Sequence, residues 1–465
     1  MQATNDPIRS IPVIGNDIDS HLDAVINQDS QQIVPVKTTS GKVKHLVLDP
    51  SFISLLIDSK RNNLITFPPE NDYRLISCDD LRSLLNTSYE ERAKAFTLLD
   101  RYLHSTNEFE NICRPMIQKH IALWLREPEG KIHLSYSCHH LAASLILESM
   151  LGYQGDVRDF SLKLMNAFLI RDLPSEETWF QTFCRKGKET IESIALARNI
   201  RSITEQILVL HYDTLNPQDT LTKMLKNERY TREQAKYNLY KIIIFGQQAI
   251  ADLLAILLNE YAIHPDWQGA HAEEAKYHTK IDTLISDNSG ISHMVLEGLR
   301  ICGTSVIERK MNDAMTLRSK DGSQVYQIEE GEHLIYSPAL VGRLDNKISH
   351  PDRFDPNRSI TELDKISSRP FGAGHHNFTL QELVLILRII LANIEIERIS
   401  EEPLPVIVLN NTLRYDRLDY HIQVVSKHKE NAPIPVLDSE IGDFLSVSDD
   451  TWNLPDHQEA SGINS

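Results

Sequence analysis

The sequence predicts a mainly α-helical protein with a small β region, and three observations carry that prediction. Apolar residues recur at helical spacing from about residue 79 to 300. Glycine is scarce, with 18 in 465 residues against about 7% in an average chain, which leans away from turn-rich sheet. Short alternating runs, the signature of strands, are confined to the first fifty residues and to stretches beyond residue 305.

The elements follow in order. Gln32 to Lys37 and Lys44 to Leu48 read as edge strands. Ile112, Met116, Ile117, Ile121, Trp124 and Leu125 lie at helical spacing, as do Leu141, Leu145, Ile146, Met150 and Leu151. Tyr237 to Tyr261 reads as one long helix, ended by the His264-Pro265 step. Its most apolar part, Ile242 to Leu258, is interrupted by Gln247, Gln248 and Asp252 and falls short of the roughly 20 apolar residues a membrane span needs, so it reads as a core helix. A further helix covers Ile291 to Ile301. Strands follow over 305–340, with Asp321-Gly322 as the hairpin signal between Ala314–Leu317 and Gln324–Tyr326. Residues 342–370 read as loop, Thr379 to Leu391 as the last helix, and 405–425 as a closing pair of strands. Residues 426–465 differ in kind: acidic, with Pro433, Pro435 and Pro455, and with an apolar cluster of Ile441, Phe444, Leu445, Val447, Trp452 and Leu454. They read as a flexible terminus or as an acidic peptide that orders on a partner. The domain organisation is therefore one domain over 1–425 and a tail over 426–465.

Composition removes several classes of function. The chain has 48 basic and 65 acidic side chains, a formal net charge of -17, which argues against nucleic acid and against an anionic membrane surface. A 41% hydrophobic content excludes disorder. Met1 to Pro7 lacks a basic and apolar leader, so the expected location is the cytoplasm and the expected state soluble. The five cysteines, Cys78, Cys113, Cys138, Cys184 and Cys302, show no metal-knuckle or C-x-x-C spacing and read as free thiols. No metal is expected: H-E-x-x-H and clustered Cys/His patterns are missing. G-x-S-x-G and P-loop patterns are missing too.

Four landmarks occur in one order and are far more specific together than singly. They are Phe245-Gly246-Gln247-Gln248-Ala249 on the central helix, Glu297-Gly298-Leu299-Arg300 on a later helix, His350 to Arg358, and Arg369 to Phe378 just before the last helix. This set resembles the cytochrome P-450 family of the soluble bacterial type, over residues 15–425 and most strongly over 240–400. The resemblance implies the family's triangular helical prism. It also implies a buried ion-pair network of Glu297 and Arg300, completed by Arg353 or Arg358. Glu297 and Arg300 lie three apart on one helical face, which is where such a pair forms.

The resemblance also locates the departures. The family's glycine-rich haem loop, F-G-x-G-x-H-x-C-x-G, is met by Phe371, Gly372, Gly374 and His376, with His375 between the last two. Phe378 stands at the cysteine position and Leu380 at the last glycine. A haem-thiolate oxygenase needs that sulfur, since thiolate donation favours O–O cleavage. On the central helix, the family's acid and alcohol beside bound dioxygen become Gln248 and Ala249. An amide cannot ionise and a methyl cannot hydrogen-bond. Two early propionate contacts of the family become Lys94 and Leu98, while Arg309 and His376 remain as propionate-type candidates.

The expectation is therefore a cytochrome P-450 scaffold without the usual oxygenase chemistry, with no cofactor, or with haem held otherwise than by thiolate. Three roles follow. The first is an accessory protein, since cysteine-less relatives bind and activate glycosyltransferases; its cue is the tail after Ser426. The second is a haem-free cyclase, dehydratase or isomerase acting on a polyketide- or terpenoid-like substrate, with Gln247 and Gln248 as polar contacts. Those glutamines serve equally well to satisfy a helix distortion. The third is an unconventional haemoprotein ligated by His375 or His376.

Overall fold

The computed structural model describes residues 13–14, 33–38, 43–48, 65–66, 106–169, 179–213, 231–277, 289–302, 307–318, 324–344, 348–351, 353–358, 377–399, 406–409, 412–415 and 421–427. Ten α-helices are described: α1 Thr106–Arg126, α2 Leu134–Ser144, α3 Val157–Leu169, α4 Trp179–Leu208, α5 Arg232–Lys241, α6 Gln247–Ile263, α7 Pro265–Tyr277, α8 Gly290–Cys302, α9 Pro338–Leu344 and α10 Asn377–Asn393. Helix α2 runs on into a π-helical turn, Leu145–Met150, and α5 joins α6 through another, Ile242–Gly246. The long central helix is thus one rod, and its apolar run is buried on nearly all sides, with Ile243, Leu254 and Leu257 at 0% exposure. No described helix is long and apolar enough to cross a membrane. The rod ends at His264 because Pro265 has no N–H to extend it and opens α7 instead.

The core is a bundle of α1, α2, α6, α8 and α10, whose inward faces form one continuous cluster from Cys113 to Val424. The expected α1 stripe needs correction. Ile112 is exposed at 41%, and the buried face is Cys113, Ile117, His120, Ile121 and Trp124. A cysteine and a histidine occupy core positions there, which a count of large apolar residues overlooks.

The strands β1 Val13–Ile14, β2 Ile33–Thr38, β3 Val43–Val47, β4 Ile65–Thr66, β5 Lys131–His133, β6 Ile307–Met311, β7 Met315–Arg318, β8 Val325–Ile328, β9 His333–Tyr336, β10 Ile394–Arg398, β11 Val406–Leu409, β12 Thr412–Tyr415 and β13 His421–Ser426 complete the described elements. The largest sheet has the order β1-β2-β3-β9-β6-β4. The two N-terminal strands expected at an edge therefore lie inside it. Residues Lys44–Leu46 pair in parallel with His333–Ile335, and Val34, Val36 and Leu46 are fully buried. The expected hairpin is present as β7 against β8, from Met315 opposite Ile328 to Arg318 opposite Val325. Residues expected as loop from 342 instead continue α9 to Leu344.

A second sheet has the order β10-β13-β5. Its free edge at β10 is blunted by one side chain. The Gln268 amide donates to the Ile396 carbonyl at 2.9 Å and accepts from the Ile396 N–H at 2.6 Å, so a glutamine of α7 takes the place of a further strand. Contacts divide the chain into Met1–Lys427 and His428–Ser465; the second unit, which holds the expected docking tail, lies outside the described residues.

Candidate functional site: the central helix, the start of α10 and the ion-pair network

The central helix changes register at the landmark itself. Over Ile242–Gly246 the backbone adopts the wider π turn, a distortion that recurs at functional sites. Gln247 sits immediately after it, buried, and its Nε2 donates to the Ile243 carbonyl at 2.7 Å. Gln247 is therefore a backbone-satisfying residue of the distortion. Gln248 is buried at 5% exposure and carries its own interactions. The side chain of Ala249 lies outside the described residues.

One turn beyond Gln248, Asp252 is buried at 5% exposure, and its Oδ1 meets His139 Nε2 of α2 at 3.1 Å. Four residues apart on a helix, Gln248 and Asp252 share a face. In the sequence Asp252 reads only as an interruption of an apolar run. Its partner lies 113 residues away, so spacing gave no sign of the pair. Cys138, beside His139, has its thiol pushed up by burial and by the Asp252 charge, and so it is held as a neutral thiol.

The degenerate loop residues Phe371, Gly372, Gly374, His375 and His376 lie outside the described residues. Helix α10 begins at Asn377, which places the Phe378 backbone in its first turn. One turn further, Glu382 is fully buried, and neither carboxyl oxygen has a hydrogen-bond partner. Desolvation pushes its carboxyl up to about 8. Facing it from α1 is Cys113, whose thiol is pushed up first by burial and then by Glu382. Arg309 lies on β6, half-buried, opposite Leu334 of β9, and carries interactions of its own.

The ion-pair network is built from α8 and the segment 348–358. Glu297 and Arg300 are both 0% exposed. Arg300 Nε and Nη2 donate to the two Glu297 oxygens at 2.7 Å each. Its remaining N–H groups reach the carbonyls of Gly342 at 2.7 Å, Arg353 at 2.8 Å and Pro351. All the donors of the guanidinium are thereby used. Arg358 Nε and the Asp355 N–H also donate to Glu297 Oε1, at 3.0 and 2.9 Å. The open choice between the two loop arginines is settled: Arg358 makes the ion pair, whereas Arg353 is exposed and contributes only its backbone carbonyl. The arrangement depends on close backbone approach, because a Cβ on Gly342 would stand 2.2 Å from the Arg300 carbonyl oxygen. His350 lends its carbonyl to Arg358 from a left-handed conformation, φ 47°, held in place by those bonds.

The described residues are mainly helical with a small sheet region, and this architecture matches the cytochrome P450 fold. The heme domain of cytochrome P450DA matches it with a TM-score of 0.65 at 17% identity, over 88% of this chain and 92% of that one. A triple mutant of the same domain gives 0.67 at 18% identity, over 88% and 93%. No protein-family model matches the chain. Among curated proteins, sterol 14-demethylase of Arabidopsis thaliana is 26% identical over 197 residues, covering 38% of this chain and 40% of that protein. Obtusifoliol 14-alpha demethylase of Triticum aestivum is 24% identical over 197 residues, covering 38% and 43%. Sterol 14alpha-demethylase of Mycolicibacterium vanbaalenii is 23% identical over 187 residues, covering 37% and 40%. The match thus spans about 40% of the length of these relatives. Together the structural neighbours show that the chain has the cytochrome P450 fold, and the relatives show a partial similarity to sterol demethylases of that kind.

Proposed function

We propose that this chain works without haem-thiolate oxygenase chemistry, as an accessory or activator protein of a biosynthetic enzyme such as a glycosyltransferase in bacterial specialised metabolite biosynthesis. The observation that carries this reading is Phe378, a phenyl ring at the position where the family places its cysteine, in the first turn of α10. Similarity to heme domains suggests a site of haem size, but the residue at the family's ligand position does not suit thiolate ligation. Phe378 offers no lone pair to iron. The change at Phe378 is matched on the central helix by Gln248 and Ala249, where the acid and alcohol are replaced. Meanwhile the network that holds the fold is complete around Arg300. Fold residues kept while chemical residues are lost favour a role in binding. The cytoplasm is the compartment this reading requires, and the acidic, apolar segment 426–465 is the proposed docking element.

The test is the activity of a purified glycosyltransferase of the same biosynthetic cluster, with and without this protein. Full-length chain is expected to raise transferase activity at least about tenfold, and a chain ending at Lys427 is expected not to. A full-length chain that leaves the transferase unaffected contradicts the accessory role.

A second reading, a haem-free cyclase, dehydratase or isomerase on a polyketide- or terpenoid-like substrate, is favoured by Gln248 and Asp252. These are two buried polar side chains on one face of the central helix. Its rate enhancement would rest on proximity and acid–base help. Under that reading, Gln248→Leu abolishes conversion of the substrate without changing the circular dichroism spectrum. An unconventional haemoprotein, with His375 or His376 as ligand and Arg309 and His376 toward the propionates, is the third.

A further inference from the structure

Among the described residues the backbone widens into a π turn at three places: Leu145–Met150 after α2, Val209–Asp213 after α4, and Ile242–Gly246 before α6. Residues in π turns are well under about 1% of an ordinary protein, so three that touch in series call for a reason. His211 of the α4 turn is buried, and its Nε2 donates to the Leu151 carbonyl at 2.7 Å. Leu151 closes the α2 turn, where its own N–H donates to the Ile146 carbonyl at 3.0 Å. Gly152 follows in the left-handed region, φ 66°, and a Cβ there would stand 3.2 Å from Leu210 Cδ2. On the inner side, a Cβ on Gly246 would stand 3.2 Å from Ile146 Cδ1. Gly246 ends the third turn, and the next residue is Gln247, whose Nε2 donates to the Ile243 carbonyl at 2.7 Å. The outer end of the series lies at the surface, with Val209 59% and Leu210 46% exposed, and the inner end reaches the buried glutamines of the central helix.

We propose that the three π turns act as one register switch, through which the surface segment 209–213 sets which polar groups the central helix presents at Gln247 and Gln248. A π turn bonds each N–H one residue further back than an α turn does, so it carries one residue more. An α-helix turns about 100° per residue, so absorbing the extra residue rotates the helix beyond the turn by about that angle relative to the part before it. Positions in between leave buried carbonyls and N–H groups unpaired, so the turn has two discrete registers. In the α register the Ile243 carbonyl becomes the acceptor of the Gln247 backbone N–H, and the Gln247 amide is released from it. Gln248, the next residue, changes direction with it. The two registers therefore offer different polar groups to a molecule bound beside the central helix. The inference rests on the candidate site at Gln247 and Gln248 and is independent of which proposed role the chain performs.

The links between the turns are short. Leu151 joins the first to the second, because its carbonyl is held by His211 while its N–H closes the α2 turn. The Tyr153 N–H, bonded to the Leu147 carbonyl at 2.8 Å, fixes the same end. Ile146 joins the second to the third: it is buried, and Gly246 has no side chain of its own at the contact. The position of Ile146 thus decides how closely the α2 turn and the central helix approach. Close-packed interiors pass between discrete arrangements instead of deforming smoothly, so a change of register at one turn is carried to its neighbour. Coupling in this sense is a two-state element that both ends bias, and it must work in both directions.

The test is hydrogen exchange of the full chain and three variants at about pH 7. His211→Leu removes the donor to Leu151 and is expected to speed exchange of the amides of 242–248 at least about fivefold, with those of α8, 290–302, unchanged. His211→Gln keeps an N–H donor at that position and is expected to behave as the natural chain. Gln247→Leu frees the Ile243 carbonyl from the inner end and is expected to speed exchange at 145–153 and at 209–213, again with α8 unchanged. Unaltered exchange at 242–248 in His211→Leu overturns the proposal. So does an equal rise over α8, which marks general loosening, and so does a Gln247→Leu effect that stops short of 209–213.

Discussion

Glu297→Ala is expected to lower the stability of the protein by about 3–5 kcal/mol, the usual cost of removing one partner from a buried charge pair. The physical reason is what remains behind. Arg300 stays 0% exposed with two donors lacking acceptors, and Arg358 Nε and the Asp355 N–H lose theirs as well. One substitution thus strands groups on α8 and on the 353–358 segment together. Glu297→Gln is expected to cost less, since its amide oxygen keeps part of this acceptance while its NH2 faces guanidinium donors. Arg353→Ala is expected to be nearly silent, because that residue participates only through its carbonyl. Urea unfolding of the three variants decides the matter. A loss at Arg353 comparable with that at Glu297 would contradict the network described.

Glu382→Met is expected to stabilise the protein by about 1–3 kcal/mol near neutral pH, because the replaced carboxyl is buried with both oxygens unpartnered. The pH dependence has a definite sign. Desolvation raises the folded-state carboxyl to about 8 from an ordinary value of 4.5, so the folded state keeps a proton that the unfolded state releases. The stability contribution is fully present below the unfolded value and is lost as pH rises through the folded one. The natural chain should therefore weaken from about pH 4.5 to about pH 8, and the variant should lack that part of the slope. Unfolding midpoints across this range provide the measurement. A destabilised Glu382→Met with the alkaline slope intact would show that the carboxyl has a partner which the structure lacks.

Much of the helical frame was legible in the sequence because its signals are local. The central rod, α8 and α10 each announce themselves through apolar periodicity, a Pro-marked end or the E-x-x-R spacing. What stayed hidden depends on long-range partners. Lys44 to Leu48 reads as an edge strand until β9, nearly 290 positions later, pairs with it. Arg353 and Arg358 are equivalent as sequence candidates, and only the path of the backbone decides which guanidinium reaches Glu297. The π turn at Ile242–Gly246 breaks the period that would reveal it, although the two glutamines after it hinted at a distortion, and Gln247 confirms one. Asp252 looked like a flaw in an apolar run and is instead the partner of His139. Phe378 is the opposite case: its meaning is entirely in the sequence pattern.

The most direct measurement of the central claim is the absorption spectrum of the full-length protein, expressed with ample haem and recorded before and after dithionite and carbon monoxide. With a phenylalanine at the ligand position, the account predicts no red-shifted thiolate–carbonyl band, whether or not any haem is retained. A full thiolate–carbonyl band would contradict it, since a sulfur from elsewhere in the chain would then have to reach the iron.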